Sequence, residues 1–73
     1  MTKTETRIFS VLRRLYKAGG EPIGARIIAE RIGVYESTVR KCFVKYVDKV
    51  VVTKSVSFEG KAINQYTPIS IDN

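Results

Sequence analysis

Between Ile28 and Val39 the chain reads IAERIGVYESTV, and this stretch constrains the fold more tightly than any other. Two helices that meet at a sharp angle through a three- or four-residue turn bring their backbones close together. That approach favours a small residue at the crossing and a glycine in the turn. Ala29 and Gly33 stand at those two positions, and Ile28, Ile32, Val34 and Val39 flank the crossing where they can lock the angle from the core side. The stretch predicts a helix, a turn over Gly33 to Tyr35, and a second helix.

The flanking sequence supplies the other elements. Thr2-Lys3-Thr4-Glu5 has the Ser/Thr-x-x-Glu form of a capping box, in which hydroxyl and carboxylate satisfy the free amides of a helix start. A first helix is expected over residues 4–18, with Ile8, Val11, Leu12, Leu15 and Tyr16 on one face and Gly19-Gly20 as its stop. Glu21-Pro22-Ile23-Gly24 can supply only a minimal strand, because proline pushes its predecessor out of the helical region. A helix of about two turns follows from Ala25 to the stop at Gly33, with Ile28, Ala29 and Ile32 inward. Val39, Cys42, Phe43, Tyr46 and Val47 then recur at i, i+3, i+4, i+7 and i+8, which predicts a third helix to about Asp48. VVVTKSVSF, Glu59-Gly60-Lys61 and AINQYTPISI read as strand, turn and strand. With Glu59 and Gly60 at the tip, Val56 would face Ile63 and Thr53 would face Tyr66, and Pro68 would lie near the end of an edge strand.

Composition narrows the functional classes. A chain of 73 residues makes one domain, 1–73, and buries only about 60% of its unfolded surface, which argues against a catalytic cleft in a deep core. There is no histidine, no clustered acid pair, no phosphate-cradling glycine loop and no nucleophile with a base, so an enzyme is the least expected class and no cofactor is expected. A single cysteine, Cys42, precludes an internal disulfide, and with no histidine a metal site is not expected; Cys42 falls on the inward stripe and reads as packing. The N-terminus shows no apolar run before a cleavage site, and no stretch of eighteen apolar residues occurs. The expectation is a soluble intracellular protein, cytoplasmic or nucleoid-associated, with no membrane partner. Thirteen Lys and Arg against seven Asp and Glu give a formal charge of +6 and a pI near 9.8, a bias that attracts polyanions.

Taken with the hairpin that follows it, IAERIGVYESTVRKCF resembles the helix-turn-helix of winged-helix transcription regulators, a group that includes the MarR-like and ArsR-like repressors. The order helix, short strand, helix, turn, helix, hairpin is that family's topology, so the likeness covers nearly the whole chain. The fold expected is α+β, a winged helix-turn-helix of three helices and a β-hairpin wing, with a minimal strand between the first two helices. The resemblance implies sequence-specific binding of double-stranded DNA, with the third helix in the major groove and the wing on the backbone or minor groove. It also implies a role in transcription regulation. The extra helix with which many of these repressors dimerise is absent, so a homodimer would need the first helix, the C-terminal strand, or both.

The residues can be weighed beside that resemblance. Winding the third helix with its apolar stripe inward places Ser37, Lys41 and Val44 outward, with Glu36, Arg40 and Lys45 at the flanks. Arg40 can offer a donor fork to guanine, and Lys41 and Lys45 suit phosphate or guanine. Ser37 and Thr38 can donate to phosphate, and Val44 can touch a thymine methyl or be a scattered surface residue. Lys54 and Lys61 provide donors on the hairpin, or discourage edge-to-edge pairing there. Arg7, Arg13, Arg14 and Lys17 read as a solvated face of the first helix, with phosphate contacts as the alternative. Glu36 would be repelled by phosphates unless it accepts from a cytosine amino group. Tyr35 occupies a place where many helix-turn-helix proteins have Ser or Thr as a cap. Either the cap shifts to Ser37 and the helix starts later, or Tyr35 points outward, with its ring and hydroxyl available to the DNA backbone. A protein-interaction adaptor is the competing class, and single-strand or RNA binding is less favoured because the aromatics on the sheet are few.

Overall fold

The computed structural model describes residues 1–69. Helix α1, Lys3–Gly19, opens with the capping box: the Glu5 amide donates to the Thr2 hydroxyl at 3.1 Å, and the Thr2 amide donates to the Glu5 carboxylate at 2.7 Å. Its buried residues are Ile8, Phe9 and Leu12, whereas Val11 and Leu15 pack at the margin of the core. Phe9 was not on the expected stripe. The inner face widens toward it because its ring meets two aromatics edge-on, Phe43 in the third helix at 5.4 Å and Tyr46 just beyond its end at 5.9 Å.

Strand β1 is the two residues Ile23–Gly24, and helix α2 follows at once as Ala25–Ile32. Gly33 ends α2 at φ 75°, and the amides of Gly33 and Val34 both donate to the Ala29 carbonyl, at 2.9 and 3.1 Å. The corner is built as its sequence implied. Ile28 and Val39 are fully buried, Ala29 is 4% exposed, and Ile32 and Val34 pack against the core.

Helix α3, Glu36–Lys45, ends earlier than the apolar stripe suggested. Tyr46 leaves the helical region at φ −112°, ψ 47°, and the chain continues as a short 3-10 turn over Val47–Lys49. The change of winding swings Val47 out of the inward stripe, and it is 63% exposed.

Strands β2, Val50–Val56, and β3, Ala62–Pro68, form the hairpin. The three-stranded antiparallel sheet runs β1-β3-β2, with Ile23 opposite Tyr66 and Gly24 opposite Gln65. The hairpin pairs Val56 with Ala62 and Thr53 with Gln65, one residue away from the expected Val56–Ile63 and Thr53–Tyr66. The cause is the turn. The Ser57 amide donates to the Lys61 carbonyl at 2.7 Å and the Gly60 amide donates to the Ser57 carbonyl at 2.9 Å, with Gly60 at φ 82°. This is a three-residue loop, Phe58-Glu59-Gly60, with glycine as the left-handed bulge, in place of a two-residue tip. A one-residue slip exchanges the faces of a strand, and the observed register sets Tyr66 opposite Val52 with its ring buried. Pro68 therefore belongs to the central strand and not to an edge strand. It lies beyond the reach of β1, so its missing amide hydrogen costs no ladder bond. Ser70 and Ile71, expected to extend this strand, lie outside the described residues.

The arrangement is α+β and winged-helix-like: three helices, a short strand between the first two, then an antiparallel hairpin. One core joins all of it, with Phe43 and Leu12 at its centre and Val50 and Tyr66 closing it from the sheet. Among the described residues, no helix is long and apolar enough to cross a membrane.

A Cβ placed on Gly33 meets no atom within 4 Å, so replacing this residue isolates the backbone cost of a left-handed turn. Gly33→Ala should lower stability by about 1 kcal/mol. In urea unfolding the midpoint should fall while the m value stays unchanged.

Candidate nucleic-acid interface

The outer face of α3 is defined by what fastens its inner face. Val39, Cys42 and Phe43 are buried, and Tyr46 is half-buried against the core. That leaves Ser37, Arg40, Lys41 and Val44 exposed along one side, with Val44 at 75%. Together with Lys45 they line a shallow depression on the helix surface. Its chemistry is three cations, one hydroxyl and one branched apolar side chain. Such a set can donate to base edges and phosphates and can meet a methyl group.

Helix α3 begins without a side-chain cap. Tyr35 is its N-cap residue at φ −73°, ψ 146°, and its carbonyl accepts from the amides of Thr38 at 3.0 Å and Val39 at 3.4 Å. The helix does not start later at Ser37. The ring of Tyr35 points outward, 82% exposed, which is the geometric part of the second alternative. Thr38, unlike Ser37, is half-buried and turns toward the start of α1, where it lines a depression with Thr4 and Lys41.

Two of the candidate side chains are already engaged. Arg40 forms an ion pair with Glu36 one turn earlier, both about half exposed. Glu36 thus has a cationic partner within the protein and needs no cytosine to balance it. An exposed pair of this spacing is worth only about 0.3–0.5 kcal/mol, so Arg40 can exchange Glu36 for another acceptor at small cost. Lys45 turns back to α1, where its ammonium lies 3.2 Å from Glu5. The Tyr46 hydroxyl donates to the other oxygen of Glu5 at 3.0 Å.

Glu5 therefore serves both as half of the capping box and as the tie between the start of α1 and the end of α3. The Thr2 amide, followed by the Tyr46 hydroxyl and Lys45, holds its carboxyl at about 2, well below the usual range. The same contact raises Lys45, and burial followed by the bond to Glu5 raises Tyr46. Burial, with the charge of Glu5 nearby, pushes the Cys42 thiol up to about 11, so it is protonated and unreactive at neutral pH.

Across from α3, the hairpin and the start of α2 complete a second surface. Arg26, Arg40, Lys61 and Asn64 line one groove together with Glu36 and Glu59. Lys61 is thus brought beside α3. Lys54, exposed in the middle of β2 opposite Asn64, does not line that groove. Arg26 was not among the expected contacts; helical spacing put it outward, but its proximity to the hairpin depends on the sheet. Phe58 at the tip of the hairpin is also new to the surface, with its ring fully exposed.

Comparison of the chain with family models, curated proteins and solved structures finds no match.

The Glu5 junction makes a pH-dependent prediction. A carboxyl that titrates at about 4.5 when unfolded and about 2 when folded stabilises the protein above the first value. That contribution is lost as pH falls through the second. The stability advantage of the wild type over Glu5→Gln should therefore be complete at pH 6, shrink below pH 4.5 and vanish near pH 2, as followed by thermal melts across that range.

Proposed function

We propose that this protein binds double-stranded DNA sequence-specifically and acts as a small transcription regulator. In this reading α3 enters the major groove and the hairpin lies against the backbone or minor groove. The observation that carries it is the exposed face of α3, where Arg40, Lys41 and Ser37 stand on a helix fastened from behind by Val39, Cys42 and Phe43. A donor set held on a rigid element can discriminate base edges, whereas charge alone gives only nonspecific attraction. Arg26 and Lys61 extend the cationic surface to the side where the sugar-phosphate backbone would run.

The roles follow from the chemistry. Arg40, released from Glu36, offers a bidentate fork to guanine O6 and N7, and Lys41 contacts phosphate or guanine. Val44 meets a thymine methyl. Ser37 and Tyr35 reach the backbone at the start of the helix, and Lys61 reaches it from the wing. A second reading, as an adaptor that binds protein, is favoured by the exposed apolar side chains of Val44 and Phe58.

Fluorescence anisotropy against salt concentration tests the proposal. Arg40→Ala with Lys41→Ala should weaken binding to a selected duplex by at least about tenfold and reduce the salt slope by about one for each phosphate no longer neutralised. Unchanged affinity and slope would remove α3 as the DNA-binding surface.

Tyr35 provides an independent test, because capping and DNA contact pull in opposite directions. Tyr35→Ser restores an oxygen that can cap α3 and should raise stability by about 1 kcal/mol, while the same variant should bind duplex DNA more weakly. A gain in stability with unaltered affinity would show that the tyrosine does not touch the DNA.

A further inference from the structure

A second concave surface with three cations lies away from α3. A groove between α1 and the end of α2 is lined by Arg7, Ser10, Val11, Arg14, Leu15, Arg31 and Ile32. Three of the chain's six arginines line it, with no acidic side chain among the described lining residues. Both ion pairs found among the described residues lie elsewhere, on Arg40 and Lys45. Among the described residues the guanidiniums of Arg7, Arg14 and Arg31 have no ion-pair partner, whereas Arg40 on α3 is paired with a carboxylate.

The floor of the groove is apolar. Val11, Leu15 and Ile32 are half-buried, packed against the core on one side and open to the groove on the other. Arg7 and Arg14 are two turns apart on one stripe of α1, about 10 Å along the axis at 1.5 Å per residue. That is too far for a single small anion to bridge. It matches carboxylates seven residues apart on one face of another helix, with apolar residues at the intervening turn settling on Val11 and Leu15. A sugar-phosphate backbone could satisfy the arginines but would leave the apolar floor uncovered. Arginine, in place of lysine, at all three positions suits bidentate pairing with carboxylates.

We infer that the α1–α2 groove is a docking site for an acidic amphipathic helix of a partner protein. This surface is separate from the exposed face of α3, so the two can be occupied together, and the inference stands whether or not α3 binds DNA.

The probe is a labelled helical peptide carrying Glu at positions i and i+7 and Leu at i+3 and i+4, compared with a scrambled peptide of identical composition. The intact chain should bind the amphipathic peptide at least tenfold more tightly than the scrambled one. Arg7→Gln with Arg14→Gln should abolish that preference, and Val11→Asp should do so without removing an arginine. Arg40→Ala with Lys41→Ala should leave it unchanged. Because Arg7 and Arg14 lie at the surface, unaltered circular dichroism and melting of the double variant would confirm that the fold is intact. Amide chemical shifts should move at Arg7, Ser10, Arg14 and Arg31 on titration. Equal affinity for the two peptides, or shifts centred on α3, would overturn the inference. So would an Arg7/Arg14 variant that keeps the peptide preference while binding duplex DNA more weakly, which would make the groove a phosphate site.

Discussion

The packing of Phe43 is the contact on which the rest of the structure depends. Its ring lies 4.3 Å from Tyr66 of β3 and 5.4 Å from Phe9 of α1, so one side chain of α3 touches both the first helix and the central strand. Aromatic pairs of this kind add about 0.5–1.5 kcal/mol each beyond the area they bury. In a 73-residue chain with a small core, such contacts make up a large part of the total. The geometric consequence is larger than the energetic one. Phe43 ties α3 to both α1 and the central strand, and this packing sets where its outer residues stand relative to the wing.

The electrostatics complement that packing. Glu5 is bound to the end of α3 through Tyr46 and Lys45, and it closes the start of α1 as well. It is the polar counterpart of the Phe43 contact, joining the same two helices at the surface. The Glu36–Arg40 pair does the opposite kind of work. It is exposed, local and weak, and it keeps a guanidinium extended along the helix without committing it. A surface that must exchange partners gains from pairs of the second kind, and a scaffold gains from the first.

The corner and the order of elements were legible in the sequence because they follow from short-range rules. Ala29 and Gly33 specify the crossing, the capping box marks the start of α1, and apolar spacing marks the inner faces. The outward positions of Ser37, Lys41 and Val44, with Arg40 at the flank, follow from winding alone. What was not legible depends on contacts distant in sequence or on a choice between near-equal turns. Phe9 is buried because of aromatics 34 and 37 residues away. Lys45 turns back along the surface toward α1 because of Glu5, 40 residues earlier. The register of the wing hung on whether Gly60 closes a two-residue tip or forms the bulge of a three-residue loop, and the residues Glu59-Gly60-Lys61 are compatible with either. The Glu36–Arg40 pair is a different case, since its i, i+4 spacing is a local feature that the sequence already contains.

The central claim is that a fixed helix face reads base sequence, beyond the attraction any +6 protein exerts on a polyanion. Selection from a library of random duplexes, followed by sequencing of the bound fraction, tests it most directly. The account predicts enrichment of one short motif, with enrichment lost when Arg40 and Lys41 are both replaced by alanine. A bound fraction as random as the input would contradict it.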